Sequence, residues 1–312
     1  MYFYSLQKHL QFNAKALLRR SPTLLFARNT AHKPCSSQAK QVKVESSDEV
    51  INITTPLPMR SATCFLVGMA CKLFLKLACS QVHLRNFDRL LKQVESRAPG
   101  TSLITIQNHA TTLDDPILWG ALPARSLASP HLVRWSLAAK EIIFINPLFS
   151  AFFAAGQTIP IIRGAGIYQP AMDVALELLD KSGWINIYPE GKVNRDKPLL
   201  PFKWGVGRLI QETVSTPIII PIYHSGMLNI YPGDGVILPR LGKQLVVSVG
   251  SPINIRELLK DDAGFQNISP DDTDRARSYI TNIVRMQLDD LREETLAWMQ
   301  EKGIDSGFRP NK

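Results

Sequence analysis

The chain has 312 residues, enough for one large domain or two small ones, and its 45% apolar and 20% charged residues are typical of a protein with a buried core. The formal net charge is +9, but residues 1–44 hold eight Lys/Arg and no Asp/Glu, which leaves 28 basic against 27 acidic residues elsewhere. Because the remainder is nearly neutral, its charge gives no argument for nucleic-acid binding.

The first predicted segment, residues 1–58, is a basic leader followed by a polar linker. In the leader, apolar Leu24 and Leu25 interleave with Arg20 and Arg28. This composition is typical of a mitochondrial presequence, whose basic amphipathic helix suits import. A disordered basic tail without a targeting function has the same composition, and both interpretations stay open.

Residues 59–82 are predicted to form a membrane-associated helix. The stretch 61–79 is almost long enough to cross a bilayer, which takes about 20 apolar residues. Lys72 and Lys76 interrupt it, and each would cost roughly 2.5 to 3.5 kcal/mol near the bilayer centre. Since these lysines share one helical face, a helix lying in one leaflet is favoured over a full span. The alternative is an amphipathic core helix of a soluble domain.

Residues 83–270 alternate short apolar strands with helices. Strands are predicted at 102–107, 159–162, 184–188, 217–223 and 244–250, and helices after Asp114 and at 168–181 and 204–213. This alternation predicts an α/β layer around a largely buried sheet. Residues 271–312 are predicted to be a long helix, from about 271 to 300, and a tail.

The strongest chemical signal follows the strand at 102–107. His109 stands at the strand end, where its ordinary pKa of ~6.5 suits a general base. Asp114, five residues on, can return to the other ring nitrogen and stabilise the imidazolium. Asp115 and Pro116 are predicted to be the N-cap and first residue of the next helix, which leaves Asp114 for the histidine. Taken alone, this spacing is common by chance.

A second motif follows the strand at 159–162. Arg163 is followed by a turn that contains Gly164 and Gly166. A guanidinium supplies paired donors, and glycines allow backbone N–H groups to approach, so the motif suits a phosphate. A surface arginine in an ordinary strand-to-helix turn is the alternative.

A third motif, at the end of the strand 184–188, contains Glu190 and Gly191. A carboxylate there can bind a glycerol hydroxyl, and the glycine allows close approach of a substrate. A Pro-Glu-Gly turn also forms without any function.

A fourth motif covers residues 220–224. Pro221 inside this apolar run predicts an edge or bulge position. His224, at its end, is predicted to be a structural histidine.

Together, the four motifs, which lie within residues 102–224, resemble those of the glycerophospholipid acyltransferase superfamily, and the similarity to one family within it runs from about Ser61 to Ile255. The resemblance implies a mixed α/β sheet flanked by helices, with an N-terminal membrane-associated helix and a long C-terminal helix. It implies that His109 is the base and Asp114 its partner. The substrate-binding residues that it implies are Asn108, Arg163, Gly164, Glu190 and Gly191.

The resemblance also implies a coenzyme-A-independent transacylase that exchanges acyl chains between phospholipids and lysophospholipids and remodels cardiolipin in mitochondria. The expected partners are cardiolipin, monolysocardiolipin, phosphatidylcholine and a membrane surface facing the intermembrane space, without nucleic acid. Ester-to-ester transfer is nearly thermoneutral, so no cofactor or metal is expected. An acyl-CoA-dependent 1-acylglycerol-3-phosphate acyltransferase carries the same motifs. A non-catalytic membrane adaptor that keeps the fold as a lipid-binding module is the alternative of another class.

Overall fold

The computed structural model describes residues 55–195, 198–232 and 238–306, so the predicted presequence lies outside the described residues. Within these ranges one sheet contains the strands β1 (Cys79–Arg85), β2 (Leu103–Gln107), β3 (Trp135–Ala139), β4 (Thr158–Ile161), β5 (Trp184–Ile187), β6 (Ile218–Ser225) and β7 (Lys243–Val249). Each strand predicted from the sequence is present, with its ends displaced by no more than two residues.

The helices of the described residues lie between and beyond these strands. They are α1 (Leu57–Ala78), α2 (Phe87–Ser96), α3 (Asp114–Ala121), α4 (Ala124–Leu127), α5 (Lys140–Ile143), α6 (Pro147–Ala155), α7 (Pro170–Asp180), α8 (Gly205–Glu212), α9 (Met227–Ile230), α10 (Ile255–Lys260), α11 (Ala263–Gln266) and α12 (Thr273–Glu301). A short 3₁₀ turn covers Pro130–Leu132.

The sheet is mixed, with the strand order β1-β7-β6-β2-β5-β3-β4. The five strands from β6 to β4 are mutually parallel, whereas β7 is antiparallel to β6 and β1 is parallel to β7. Every residue of β2 and of β5 is buried, as expected for parallel strands covered on both faces. The predicted fold class, a mixed sheet flanked by helices, is confirmed.

Alternate residues of each strand serve two hydrophobic clusters, one on each face of the sheet. Ile104 and Ile106 point into the cluster that α7, α8 and α12 cover, and Leu103 points into the cluster under α1, α2 and α3. This alternation follows from the two-residue repeat of a strand. The architecture therefore has three layers, helix, sheet and helix.

The long helices were predicted close to their observed positions. The predicted C-terminal helix is α12, whose first turn is capped by the Asp272 carboxylate. It is held to the sheet by Ile280, Val284 and Leu288, which recur every four residues and are buried. The predicted N-terminal helix is α1, which is long and apolar enough to cross a membrane. Within the protein, 22% of its most apolar stretch is buried.

Pro221 does not lie at the edge of the sheet. It belongs to β6, which β2 and β7 flank, so the edge position predicted for it is wrong. The ladder to β7 ends at Ile222, and the next pairing joins Ile219 to Ile253. The carbonyl of Pro221 accepts from the N–H of Gly250 at 2.9 Å. Proline has no N–H with which to return that bond, so the regular ladder between β6 and β7 ends here.

Candidate active site

The candidate functional residues lie at one end of the parallel strands. Because β2, β5, β3 and β4 are parallel, their carboxyl ends meet at that edge. His109 follows β2, Glu190 follows β5, and Arg163 follows β4. In open α/β sheets, ligands bind outside the carboxyl ends of the strands. We call this boundary of the sheet, formed by the carboxyl ends of these strands, the catalytic edge.

His109 and Asp114 are in direct contact. The Nδ1 of His109 lies 2.9 Å from the Oδ2 of Asp114. The Asp114 side chain is fully buried, whereas the His109 side chain is 23% exposed. Thr111 donates to the same carboxylate from its backbone N–H and from its hydroxyl, the latter at 2.8 Å. A short loop thus holds an accessible imidazole against a buried carboxylate.

Asp114 is held in its ionised form. Burial alone would raise the pKa of Asp114, but the imidazoles of His224 and His109 outweigh burial and hold the pKa well below its usual range. Asp114 is also the first residue of α3, where the helix dipole favours a negative charge. Since a carboxylate accepts hydrogen bonds and cannot donate them, the contacts assign the ring proton to Nδ1 of His109. Its Nε2 is then the nitrogen that can accept a proton.

Tyr188 supports the imidazole from one side. Its ring centroid lies 4.5 Å from that of His109, with an interplanar angle of 31°. Burial and the nearby Asp114 charge raise the pKa of Tyr188, so the phenol stays neutral. This stacking partner was missed by the sequence analysis. Its position two residues before Glu190, at the end of the neighbouring strand, is the signal that could have revealed it.

Glu190 is buried, and its carboxylate is fully engaged by the protein. Oε1 accepts the backbone N–H of His109 at 3.1 Å. Oε2 accepts from the side chain of Asn194 at 2.6 Å and from the backbone N–H of Leu200 at 3.0 Å. The backbone N–H of Asn194 also donates to the carbonyl of His109 at 2.6 Å. Glu190 therefore fixes the loop that carries His109, while its predicted contact with a glycerol hydroxyl stays a prediction.

Asn108 joins β2 to β6. Its side-chain amide donates to the carbonyl of His224 and accepts from the N–H of the same residue, at 3.0 and 2.9 Å. The Nε2 of His224 lies 3.1 Å from the carbonyl of Asn108. These bonds occupy the Asn108 amide, whose predicted role in substrate binding stays a prediction.

Arg163 lies at the same edge, three strands away from β2. Neighbouring strands are spaced by ~4.8 Å, which separates Arg163 from the His109 strand by roughly 14 Å. Its guanidinium lies 3.3 Å from Glu141, and both side chains are about half exposed. Gly164 and Gly166 both have positive φ, near 80°, which glycine adopts without strain.

Asp115 is not the N-cap of α3. The cap is Leu113, and the helix begins at Asp114, so the predicted capping role of Asp115 is wrong. Its carboxylate instead pairs with the guanidinium of Arg134, which is 1% exposed and lies over the ring of Trp119. Burial lowers the pKa of Arg134 to about 10, which leaves the side chain charged at neutral pH.

A small cavity of about 40 Å³ lies between the ends of β2, β5 and β6. Its walls include Asn108, Glu190, Asn194, Tyr223, His224 and Met227. These side chains are a mixture of apolar and hydrogen-bonding groups, but the space between them is well below the roughly 300 Å³ of a small-molecule site. The cavity reaches the loop that carries His109, since Asn108 and Ala110 both line it.

This chain is similar in sequence to known proteins. The Acyltransferase family model matches residues 88–225. A Dictyostelium discoideum protein named Taffazin is 36% identical over 245 residues, which are 75% of this chain and 85% of that protein. Tafazzin of Drosophila melanogaster is 40% identical over 210 residues, 67% of this chain and 54% of the fly protein. The N-acylphosphatidylethanolamine synthase of Arabidopsis thaliana is 44% identical over 181 residues, 56% of this chain and 64% of the plant protein.

The family match over residues 88–225 and the relatives show that this chain contains an acyltransferase domain. This chain spans between about half and two thirds of the length of the fly and plant relatives, and most of the slime-mould relative. On the identity and coverage of that last relative, the chain belongs to the tafazzin family.

Proposed function

We propose that this protein is a coenzyme-A-independent transacylase that moves fatty acyl groups between phospholipids and lysophospholipids. The observation that carries the proposal is the 2.9 Å contact between Nδ1 of His109 and the buried Asp114 carboxylate, at the edge of a sheet where substrates can enter. That geometry leaves the other ring nitrogen free to act as a general base. Membership of the tafazzin family favours this chemistry.

In the proposed reaction, Nε2 of His109 takes the proton from a hydroxyl of the lysophospholipid. The hydroxyl oxygen attacks the carbonyl carbon of an acyl ester in the donor phospholipid. This attack forms the new C–O bond, and when the tetrahedral intermediate collapses the carbonyl re-forms and the old C–O bond breaks. The departing alkoxide takes the proton from His109, whose transient positive charge Asp114 stabilises. One ester replaces another, so the exchange needs no external energy source.

We further propose that the acceptor is a lysophospholipid such as monolysocardiolipin and the donor a phospholipid such as phosphatidylcholine, so that the exchange remodels cardiolipin. Arg163, with the turn at Gly164, is the proposed contact for a head-group phosphate. The proposed location is a mitochondrial membrane, inner or outer, facing the intermembrane space. The basic residues 1–44 and the family membership support that location.

The test uses the purified full chain, phosphatidylcholine with a labelled acyl chain and monolysocardiolipin, without coenzyme A. Labelled cardiolipin is the expected product. Transfer that occurs only with acyl-CoA and 1-acylglycerol-3-phosphate would support the coenzyme-A-dependent alternative. Lipid binding without transfer from either donor would support the adaptor. His109→Ala is expected to abolish transfer, and the exposed His131 provides a matched control, His131→Ala.

The plant relative suggests a second candidate acceptor. Its printed name is N-acylphosphatidylethanolamine synthase, and it is 44% identical over 181 residues. An amine can attack the same acyl carbonyl with the same base, which gives an amide instead of an ester. Phosphatidylethanolamine is therefore offered as a competing acceptor in the assay. The amide product survives mild alkaline methanolysis, which cleaves ester-linked chains, so the two products are distinguishable.

A further inference from the structure

An exposed apolar surface lies next to the catalytic edge. Residues 142–155, which we call the apolar segment, cover the end of α5 and all of α6 and contain no charged side chain. Its strongly exposed large side chains are Ile142, Ile145, Leu148, Phe149 and Phe152, and Leu148 reaches 78% exposure. Monomeric soluble proteins rarely expose so many large apolar groups together, and such a patch marks an interaction site.

The apolar segment is joined to α1. The side chain of Arg60 donates to Gln157 at 2.7 Å, just beyond the end of α6. The thiol of Cys64 contacts the carbonyl of Ala155, the last residue of α6. The segment thus packs beside the first half of α1.

The side of α1 that faces away from the protein is also apolar. Phe65, Leu66, Met69, Leu73 and Leu77 are exposed on it. Lys72 is turned inward and donates to the carbonyl of Gly120 at 2.8 Å, which leaves Lys76 as an exposed charge. A helix of a soluble domain turns its apolar side inward and its polar side outward. The outer side of α1 has the reverse character, as expected for contact with lipid.

Topology places the apolar segment next to the site. The first residue of α5, Lys140, follows directly on the carboxyl end of β3. Since β5 alone separates β3 from β2, the segment begins roughly 10 Å from the strand that carries His109. Any surface that receives the segment therefore lies close to the catalytic edge.

The charges at the base of the segment suit a lipid bilayer. Glu141 and Arg163 form an ion pair there, with side chains 51% and 52% exposed. Such exposed pairs contribute little stability, so the guanidinium can exchange Glu141 for a lipid phosphate. An uncharged apolar tip above a base with exposed charges of both signs matches acyl chains beneath zwitterionic or anionic head groups.

We infer that the apolar segment inserts into one leaflet beside α1 and holds the catalytic edge at the level of the lipid head groups. The identity of the lipids that reach the site rests on the proposed function, whereas the insertion is a separate claim. The two elements together would fix the orientation of the sheet relative to the membrane, which one helix alone does not.

Insertion is measured with an environment-sensitive fluorophore on Leu148→Cys in the full chain, with Cys35 replaced by Ser. The matched control is Val214→Cys, because Val214 is 84% exposed and lies before β6, at the opposite edge of the sheet. Signals are read as differences from the parent without the added cysteine, since Cys64 is buried and Cys71 and Cys79 are partly buried. The vesicles contain phosphatidylcholine and some cardiolipin, with a nitroxide quencher near the carbonyl end of the acyl chains.

The label at 148 is expected to shift to the blue and be quenched on adding vesicles, and the label at 214 to stay unchanged. Equal behaviour of the two labels would overturn the inference. So would a shift without vesicles that grows with protein concentration, because a second copy would then be the occupant. Leu148→Asp is expected to weaken vesicle partitioning roughly tenfold, and Val214→Asp to leave it unchanged.

This experiment tests insertion and catalysis independently. The labelling needs no turnover and is repeated with His109→Ala. Insertion without any acyl transfer by the parent protein would count against the proposed function alone. Acyl transfer without insertion of residue 148 would count against the inference alone.

Discussion

The Nε2 of His224 lies 3.6 Å from the Oδ2 of Asp114, the same oxygen that lies 2.9 Å from the Nδ1 of His109. One buried carboxylate oxygen is therefore shared by two imidazoles, of which His109 is partly exposed and His224 is buried. The ring of His224 also contacts the carbonyl of Asn108. The buried imidazole thus links the carboxylate to the residue that precedes the proposed base.

Replacing His224 is expected to make the protein more sensitive to acid. His224 is the strongest of the influences that lower the pKa of Asp114. A carboxyl with a lowered pKa contributes stability above its ordinary value, and that stability is lost as the pH falls through the lowered value. In His224→Gln the pKa of Asp114 is lowered less, so unfolding should begin at a higher pH. The acid-unfolding midpoint from near-UV circular dichroism measures this shift, and an unchanged midpoint would contradict the account.

Asp114→Asn is expected to retain the fold but to lower acyl transfer roughly 10³- to 10⁴-fold, because the imidazole of His109 would be held in the wrong tautomer. The hydroxyl of Thr111 donates to Oδ1 of Asp114, which would become the amide oxygen. The new NH₂ would then face Nδ1 of His109 and force the ring proton onto Nε2. That nitrogen could no longer accept a proton. The measurement is kcat with labelled phospholipid, and activity close to that of the parent would reject the proposed role of Asp114.

Glu190→Gln is expected to lower the free energy of unfolding by about 2 kcal/mol, because a buried N–H then loses its acceptor. The three N–H donors around Glu190 need two accepting oxygens, whereas glutamine supplies one. Activity should fall as well, since the loop that carries His109 loses an anchor. Urea unfolding gives the free energy, and Glu177→Gln on the exposed surface is the control. A fall in activity without a loss of stability would instead favour direct contact of Glu190 with the substrate.

Five of the seven strands in the described residues could be predicted because their signals are local. Those five are short, mainly apolar runs, and each long helix has its own periodicity, so neither depends on distant residues. The strands β1 and β3 were not predicted. The His109–Asp114 pair could be predicted for the same reason, since five residues separate them. The contact of Glu190 with His109 joins residues 81 apart, and depends on β2 lying next to β5. Strand order is not encoded in any one segment, so that contact and the reciprocal bonds of Asn108 with His224 were not foreseen.

Tyr188 is expected to act through its ring and not through its hydroxyl. The hydroxyl is buried beside the side chain of Asn186 without a regular hydrogen bond, whereas the ring stacks on His109. Tyr188→Phe should therefore keep stability and activity close to those of the parent. Tyr188→Leu should lower kcat more than it changes KM, because the imidazole loses its lateral support. If both variants lose activity equally, the hydroxyl has a role that the stacking does not explain.

Asp115→Ala distinguishes the observed role of this residue from the role predicted for it. An exposed N-cap is worth about 1 kcal/mol, and that would be the expected loss if Asp115 capped α3. The structure pairs Asp115 with Arg134, whose side chain is 1% exposed. Removing the carboxylate would leave a buried guanidinium without its counter-ion, which costs roughly 3 to 5 kcal/mol.

A double variant that lacks both charges separates the free energy lost with the ion pair from the cost of leaving the Arg134 guanidinium unpaired. In Asp115→Ala combined with Arg134→Met, the buried charge is absent, so much of the lost stability should return. Chemical unfolding of the two single variants and the double variant forms the cycle that measures the coupling. A loss near 1 kcal/mol in Asp115→Ala, with no recovery in the double variant, would show that the ion pair does not hold α3 in place.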